Sequence, residues 1–128
     1  GYEADERRLA AVLASCDALV HAGDQETFGL VVLEGMACGL PVACVPGGAV
    51  SELVPAAAGV VAARPDAVSL ADAIEGVFAQ DRAALGRAAR VHAARTYGWD
   101  AAMRALVGAY ATVAATSVRV TPPAYAMR

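Results

Sequence analysis

Two glutamates, Glu26 and Glu34, stand seven mostly apolar residues apart in the run QETFGLVVLEGMACGLPVAC, Gln25–Cys44. Carboxylates are costly to bury, and one of these lies within an apolar run. A fully buried glutamate is rare unless it is paired or used. If a helix begins near Phe28, Glu26 precedes its first turn and Glu34 lies about two turns along. Eight helical residues rise about 12 Å, the span of a sugar joined through two phosphates to a ribose. Between the glutamates, Thr27, Phe28, Gly29 and Leu30 would offer free amides at the positive end of that helix, a ready anion site. Gly29 would let a phosphate approach the backbone with no side chain in the way.

The surrounding pattern supplies elements to hold these residues. Leu9, Val12, Leu13 and Cys16 are spaced for a helix over 4–16. Ala18–Ala22 is a short apolar run and reads as a buried strand, followed by a turn at Gly23–Gln25. The glutamate helix, Thr27–Cys38, stops at Gly39 with Pro41 beyond it. Pro41–Val45 and Gly59–Ala63 read as further strands, with a Gly47–Gly48 loop and a helical turn at Ser51–Val54 between them. Three helices follow: one capped by Asp66 or Ser69, one over Asp81–Tyr97, and one from Trp99 or Asp100 to Thr116. Trp99 and Tyr110 fall at packing positions, as core or domain-contact residues.

Continuous apolar strands alternating with helices predict an α/β fold. About three parallel, Rossmann-like strands carry helices on both faces, with helices at the C-terminus. Residues 1–116 form this unit. The tail 117–128 loses periodicity, and Val118–Thr121 is an edge-strand candidate. In such sheets ligands bind beyond the carboxyl ends of the strands. The loops His21–Glu26 and Pro46–Glu52 open on that edge.

The chain has 128 residues, room for one domain with a core. Its net charge of −3 argues against nucleic acid. Cys16, Cys38 and Cys44 sit in apolar contexts without metal-ligand spacing and read as buried, reduced thiols of a cytoplasmic protein. The apolar stretch 28–45 is no membrane span, because Glu34 would cost about 2.5–3.5 kcal/mol in a bilayer and Pro41 interrupts it.

E-TFGLVVL-E, followed by GMACGLPVAC and a Gly-Gly loop, resembles the donor-binding signature of retaining nucleotide-sugar glycosyltransferases. More narrowly it resembles family 4 (group 1), with the two-domain GT-B architecture. The likeness runs from about Gly1 to Tyr110 and covers the last part of the family's second domain. It implies that Glu26, the candidate catalytic residue, reaches the donor sugar's hydroxyls beside the reacting carbon. It implies that Glu34 binds the ribose hydroxyls. Thr27, Phe28, Gly29 and Leu30 would meet the sugar and the diphosphate, with Gly47 and Gly48 beside the donor. The family pattern places a glutamate slightly closer to the glycine pair than Glu52 stands, so Glu52 reads also as a cap of the short turn that follows. Without the resemblance, a helix-capping Glu26 and a solvated Glu34 stand level with the ligand-site reading. His21 reads as structural or solvent-facing, and His92 as half-buried or on the surface.

The resemblance implies no metal and no cofactor beyond the nucleotide-sugar substrate. It also implies an N-terminal acceptor domain as partner, and membrane-peripheral attachment as an option for the longer enzyme. No lysine or arginine occurs from Leu9 to Ala63, whereas relatives neutralise the diphosphate with an arginine and a lysine further upstream. The expectation is a donor-binding portion of a glycosyltransferase, inactive alone. The alternative is a non-catalytic nucleotide-sugar binding module or one subunit of a split enzyme. The bare edge of the first strand predicts a homodimer, or pairing by the tail strand, at that edge.

Overall fold

The computed structural model describes residues 3–116. Three parallel strands, β1 (Leu19–His21), β2 (Val42–Cys44) and β3 (Gly59–Val61), lie side by side in that order. Leu19 is level with Val42 and Val42 with Gly59. Each strand sits inside or at the start of the run expected for it and is shorter than that run. Every residue of β2 is buried, as befits the middle of a sheet covered on both sides.

Alternation along β2 divides the core into two layers. Val42 and Cys44 face Val32, Leu33 and Met36 of α2 (Leu30–Ala37). Val50 and Leu53 of α3 (Val50–Leu53) and Ala89 of α5 (Arg82–His92) complete this layer. Ala43 faces the other way, toward Ala73 and Val77 of α4 (Ala67–Phe78) and Leu85. Helices thus cover both faces, as the alternating pattern requires.

Acidic caps start three helices. Asp5 accepts from the amides of Arg7 and Arg8 ahead of α1 (Glu6–Ala14). Asp66 accepts from the Ser69 amide at 2.7 Å and Asp81 from the Ala84 amide at 3.0 Å. Such a carboxylate satisfies amides that the first turn leaves free.

Two helical expectations are corrected. The helix expected from Thr27 begins at Leu30, because Gly29 takes a left-handed conformation (φ 87°) that a helix cannot pass through. The helix expected over Asp81–Tyr97 is α-helical only to His92 and continues as a π turn, Ala93–Tyr97. Beyond Gly98, α6 (Trp99–Thr116) belongs to a compact unit separate from Gly1–Gly98. It has no buried residue, and Trp99 and Tyr110 are exposed, which corrects the core half of the expectation for them and leaves the domain-contact half standing. Val118–Thr121, the candidate edge strand, lies outside the described residues.

Candidate functional site

All three strands point the same way, so their carboxyl ends share one edge, and the loops after β1 and β2 meet there. The Ala49 amide donates to the Glu26 carbonyl at 2.9 Å, tying the second loop to the first. Gly47 (φ 109°) and Gly48 (φ 58°) make this approach possible. A Cβ on Gly47 would sit 3.0 Å from the Asp24 carbonyl oxygen, and one on Gly48 2.8 Å from that of Glu26. The glycine pair therefore clasps the Asp24–Glu26 backbone. That contact alone demands residues without side chains at both positions.

Glu26 is half-buried, with its side chain beside Gly29. Beyond it the chain bends through Thr27 and Phe28 into α2. Gly29 precedes the helix with no side-chain cap, and its carbonyl accepts from the amides of Val32 and Leu33 at 3.0 and 3.2 Å. The amides of Thr27, Phe28, Gly29, Leu30 and Val31 have no acceptor among the described residues. Five unpaired donors at a helix start, with the positive end of the peptide dipoles, form a place for an anion.

Two details differ from expectation. Gly29 is buried, and its missing side chain faces protein: a Cβ there would lie 2.9 Å from Val50 Cγ2 and 3.0 Å from Leu53 Cδ1. Its need for glycine comes from the left-handed backbone and from α3. Glu34, read from the sequence as a carboxylate within a buried run, is exposed. The helix turns Val32, Leu33, Gly35 and Met36 inward and leaves Leu30, Val31 and Glu34 outward. Glu34 lines a groove of about 300 Å³ between α1 and α2, with Glu6, Leu9, Leu13 and Cys38.

The structure thus brings Glu26, Thr27, Phe28, Gly29, Leu30, Gly47 and Gly48 to one sheet edge. Glu34 lies further along the same helix, in the groove. His21 ends β1 with its ring against Gly23, and its buried Nδ1 has no partner among the described residues. Glu52 lies in α3.

Tyr97 escaped sequence reasoning as a neighbour of the site. Its ring meets that of Phe28 edge-on, with centroids 6.5 Å apart, and meets His92 at 5.7 Å. Nothing in the spacing of apolar residues signals the π turn that carries it.

Of the three thiols expected to be buried only Cys44, at the end of β2, is so, and burial raises its pKa; Cys38 is half-buried and Cys16, just past the end of α1, is exposed. Among the described residues no group of three or more His, Cys, Asp or Glu side chains could hold a metal ion. No helix there is long and apolar enough to cross a membrane.

A parallel sheet covered by helices on both faces, with a helix start and a glycine clasp at its carboxyl edge, defines an α/β protein of the Rossmann-like type. The chain belongs to the family Glycosyl transferases group 1, whose model matches residues 1–92. It is 36% identical over 110 residues to a D-inositol 3-phosphate glycosyltransferase of Xylanimonas cellulosilytica, covering 84% of this chain and 26% of that protein. It is 35% identical over 115 residues to a GDP-mannose-dependent alpha-(1-6)-phosphatidylinositol dimannoside mannosyltransferase of Mycobacterium tuberculosis, covering 87% and 29% respectively. Among solved structures, sucrose-phosphate synthase from Thermosynechococcus elongatus superposes with a TM-score of 0.76 at 29% identity, over 91% of this chain and 30% of that one. The GT-B architecture implied by the sequence motif agrees with that likeness. The chain spans between a quarter and a third of the length of these relatives.

Proposed function

We propose that this chain forms the donor side of an enzyme that moves a sugar from a nucleotide-sugar to an acceptor, with retention at the anomeric carbon. The observation that carries this reading is the half-buried Glu26 carboxylate beside five unpaired amides at the start of α2. In this reading the amides of Thr27–Val31 hold the diphosphate. The bond from the anomeric carbon to the phosphate oxygen breaks, its electron pair leaves with the nucleotide diphosphate, the acceptor hydroxyl oxygen attacks from the same face, and its proton passes to the departing phosphate oxygen. Glu26 favours the positive charge that develops on the sugar. Glu34 accepts from the ribose hydroxyls, and its outward position along α2 suits a ligand laid over the helix start. Catalysis is then positional and electrostatic, with no metal and no further cofactor.

The same site is short of positive charge. A helix start contributes about half an elementary charge, against the two or more negative charges of a nucleotide diphosphate, and Leu9–Ala63 contains no lysine or arginine. The reading therefore includes a cationic contribution and an acceptor half from outside this chain, which alone is inactive. Those parts belong either to one longer polypeptide or to a partner subunit. The outer edge of β1, where Val20 is exposed, is where a second copy or another strand would pair.

Titrating the chain with UDP-glucose and GDP-mannose by amide NMR tests the reading. Weak, millimolar binding with shifts confined to residues 26–31 and 47–49 is expected. Shifts elsewhere, or none, would refute the donor site, and micromolar binding would refute the need for outside cations. Sedimentation showing a monomer would remove the homodimer.

A further inference from the structure

The geometry points to Tyr97 as a positioning residue for the Glu26–Gly29 loop, acting through the ring of Phe28; its functional meaning rests on the donor-site reading above. Phe28 sits in the bend between Glu26 and the start of α2 and is about half exposed, so little of the core holds it. Its described ring partner is Tyr97, edge-on at 86° with centroids 6.5 Å apart. Tyr97 is itself braced. It packs on the core layer that holds Val32, Met36 and Ala93, and the half-buried ring of His92 meets it at 71°.

The local backbone is built to place this ring. A π turn holds more residues per turn than an α-helix, so Tyr97 is displaced around the axis from its α-helical position. Such turns persist where a neighbour makes use of the displacement. The turn closes at Gly98, where any side chain would collide with the Ala94 carbonyl. His92 Nε2 is left buried without a partner among the described residues, a cost accepted at the turn's start. Together these features deliver one aromatic edge to the only apolar side chain in the bend that leads from Glu26 into α2.

The coupling has a direct readout. Three amides fasten the loop and the helix start: Ala49 to Glu26, and Val32 and Leu33 to Gly29. An aromatic edge contact contributes enough to slow local opening by about 2- to 12-fold. In the intact chain, Tyr97→Leu is expected to speed hydrogen exchange at Ala49, Val32 and Leu33 by that factor, with β3 and α4 amides unchanged. Tyr97→Phe, which keeps the ring, restores slow exchange. Equal acceleration in α4, or no change at the three amides, would overturn the inference. If Tyr97→Leu unfolds the chain, Phe28→Leu reports the same contact from its exposed side. It must reproduce the local acceleration, and unchanged exchange there would equally overturn the inference. None of these arms contains nucleotide. A failed UDP-glucose or GDP-mannose titration therefore counts against the donor-site reading alone.

Discussion

Replacing Gly29 by alanine separates two explanations of one residue. If this glycine serves ligand approach, an added methyl weakens nucleotide binding and leaves stability alone. The structure makes the opposite forecast. At φ 87° an L-residue is left-handed, which costs about 1–2 kcal/mol. The new Cβ would also lie 2.9 Å from Val50 Cγ2 and 3.0 Å from Leu53 Cδ1. Both carbons belong to buried side chains, and overpacking of this kind costs about 1–3 kcal/mol. The sum, about 2–5 kcal/mol, is a large part of the 5–15 kcal/mol that typically stabilises a domain. It corresponds to a melting temperature lower by about 10–30 °C. Urea titration and thermal melts followed by circular dichroism measure it. Gly108→Ala is the control: in α6 an added methyl meets nothing within 4 Å, so that variant gains up to about 1 kcal/mol from helix propensity. A Gly29→Ala protein that melts within two degrees of the parent, yet no longer shows nucleotide-induced shifts, would refute the packing explanation.

Four further outcomes follow from the structure. Glu34→Gln removes an exposed charge and should alter stability by less than about 0.5 kcal/mol; in a protein carrying both halves of the cleft it should weaken nucleotide binding by about tenfold. A thiol reagent should modify exposed Cys16 in the folded chain and reach Cys44 only on unfolding. Because burial raises the Cys44 pKa, its neutral thiol contributes stability in full below the ordinary thiol pKa. That contribution falls as pH rises toward the raised value, and alkaline melts of a Cys44→Ser protein against the parent measure the difference. Asp66 has its pKa lowered, first by the Ser69 amide it caps and then by Arg64. Its stabilising effect is present above the ordinary carboxylate pKa and is lost as pH falls through the depressed value, so Asp66→Ala should flatten the acid side of the melting profile.

Much of the architecture is legible in the residues. Ala18–Ala22, Pro41–Val45 and Gly59–Ala63 are apolar runs too short for helices, and each holds or opens with a strand. Asp66 and Asp81 announce their helices because a carboxylate at that position satisfies free amides. The start of α2 is less legible. Glycine at 29 reads equally as permission for a ligand or as a left-handed joint, and only the neighbouring α3 decides between them. Glu34 misleads for a related reason. Its flanks LVV and GMA suggest burial all round, yet Leu30 and Val31 are themselves exposed, so the helix has an outward face rich in apolar atoms. The π turn is invisible because RVHAARTYG is compatible with an ordinary helix, and the departure is set by what Tyr97 touches. Of the site, the glutamate, the amide-lined bend and the glycine pair are legible from motif and spacing, while the aromatic brace is not.

The clasp between Ala49 and Glu26 has one more implication. The glutamate is fastened by its main chain, through a carbonyl that every amino acid possesses, so its carboxylate is not what holds the two loops in register. Replacing that one side chain therefore leaves the mould intact, and the chemistry presented there can vary without first having to rebuild the rim around it.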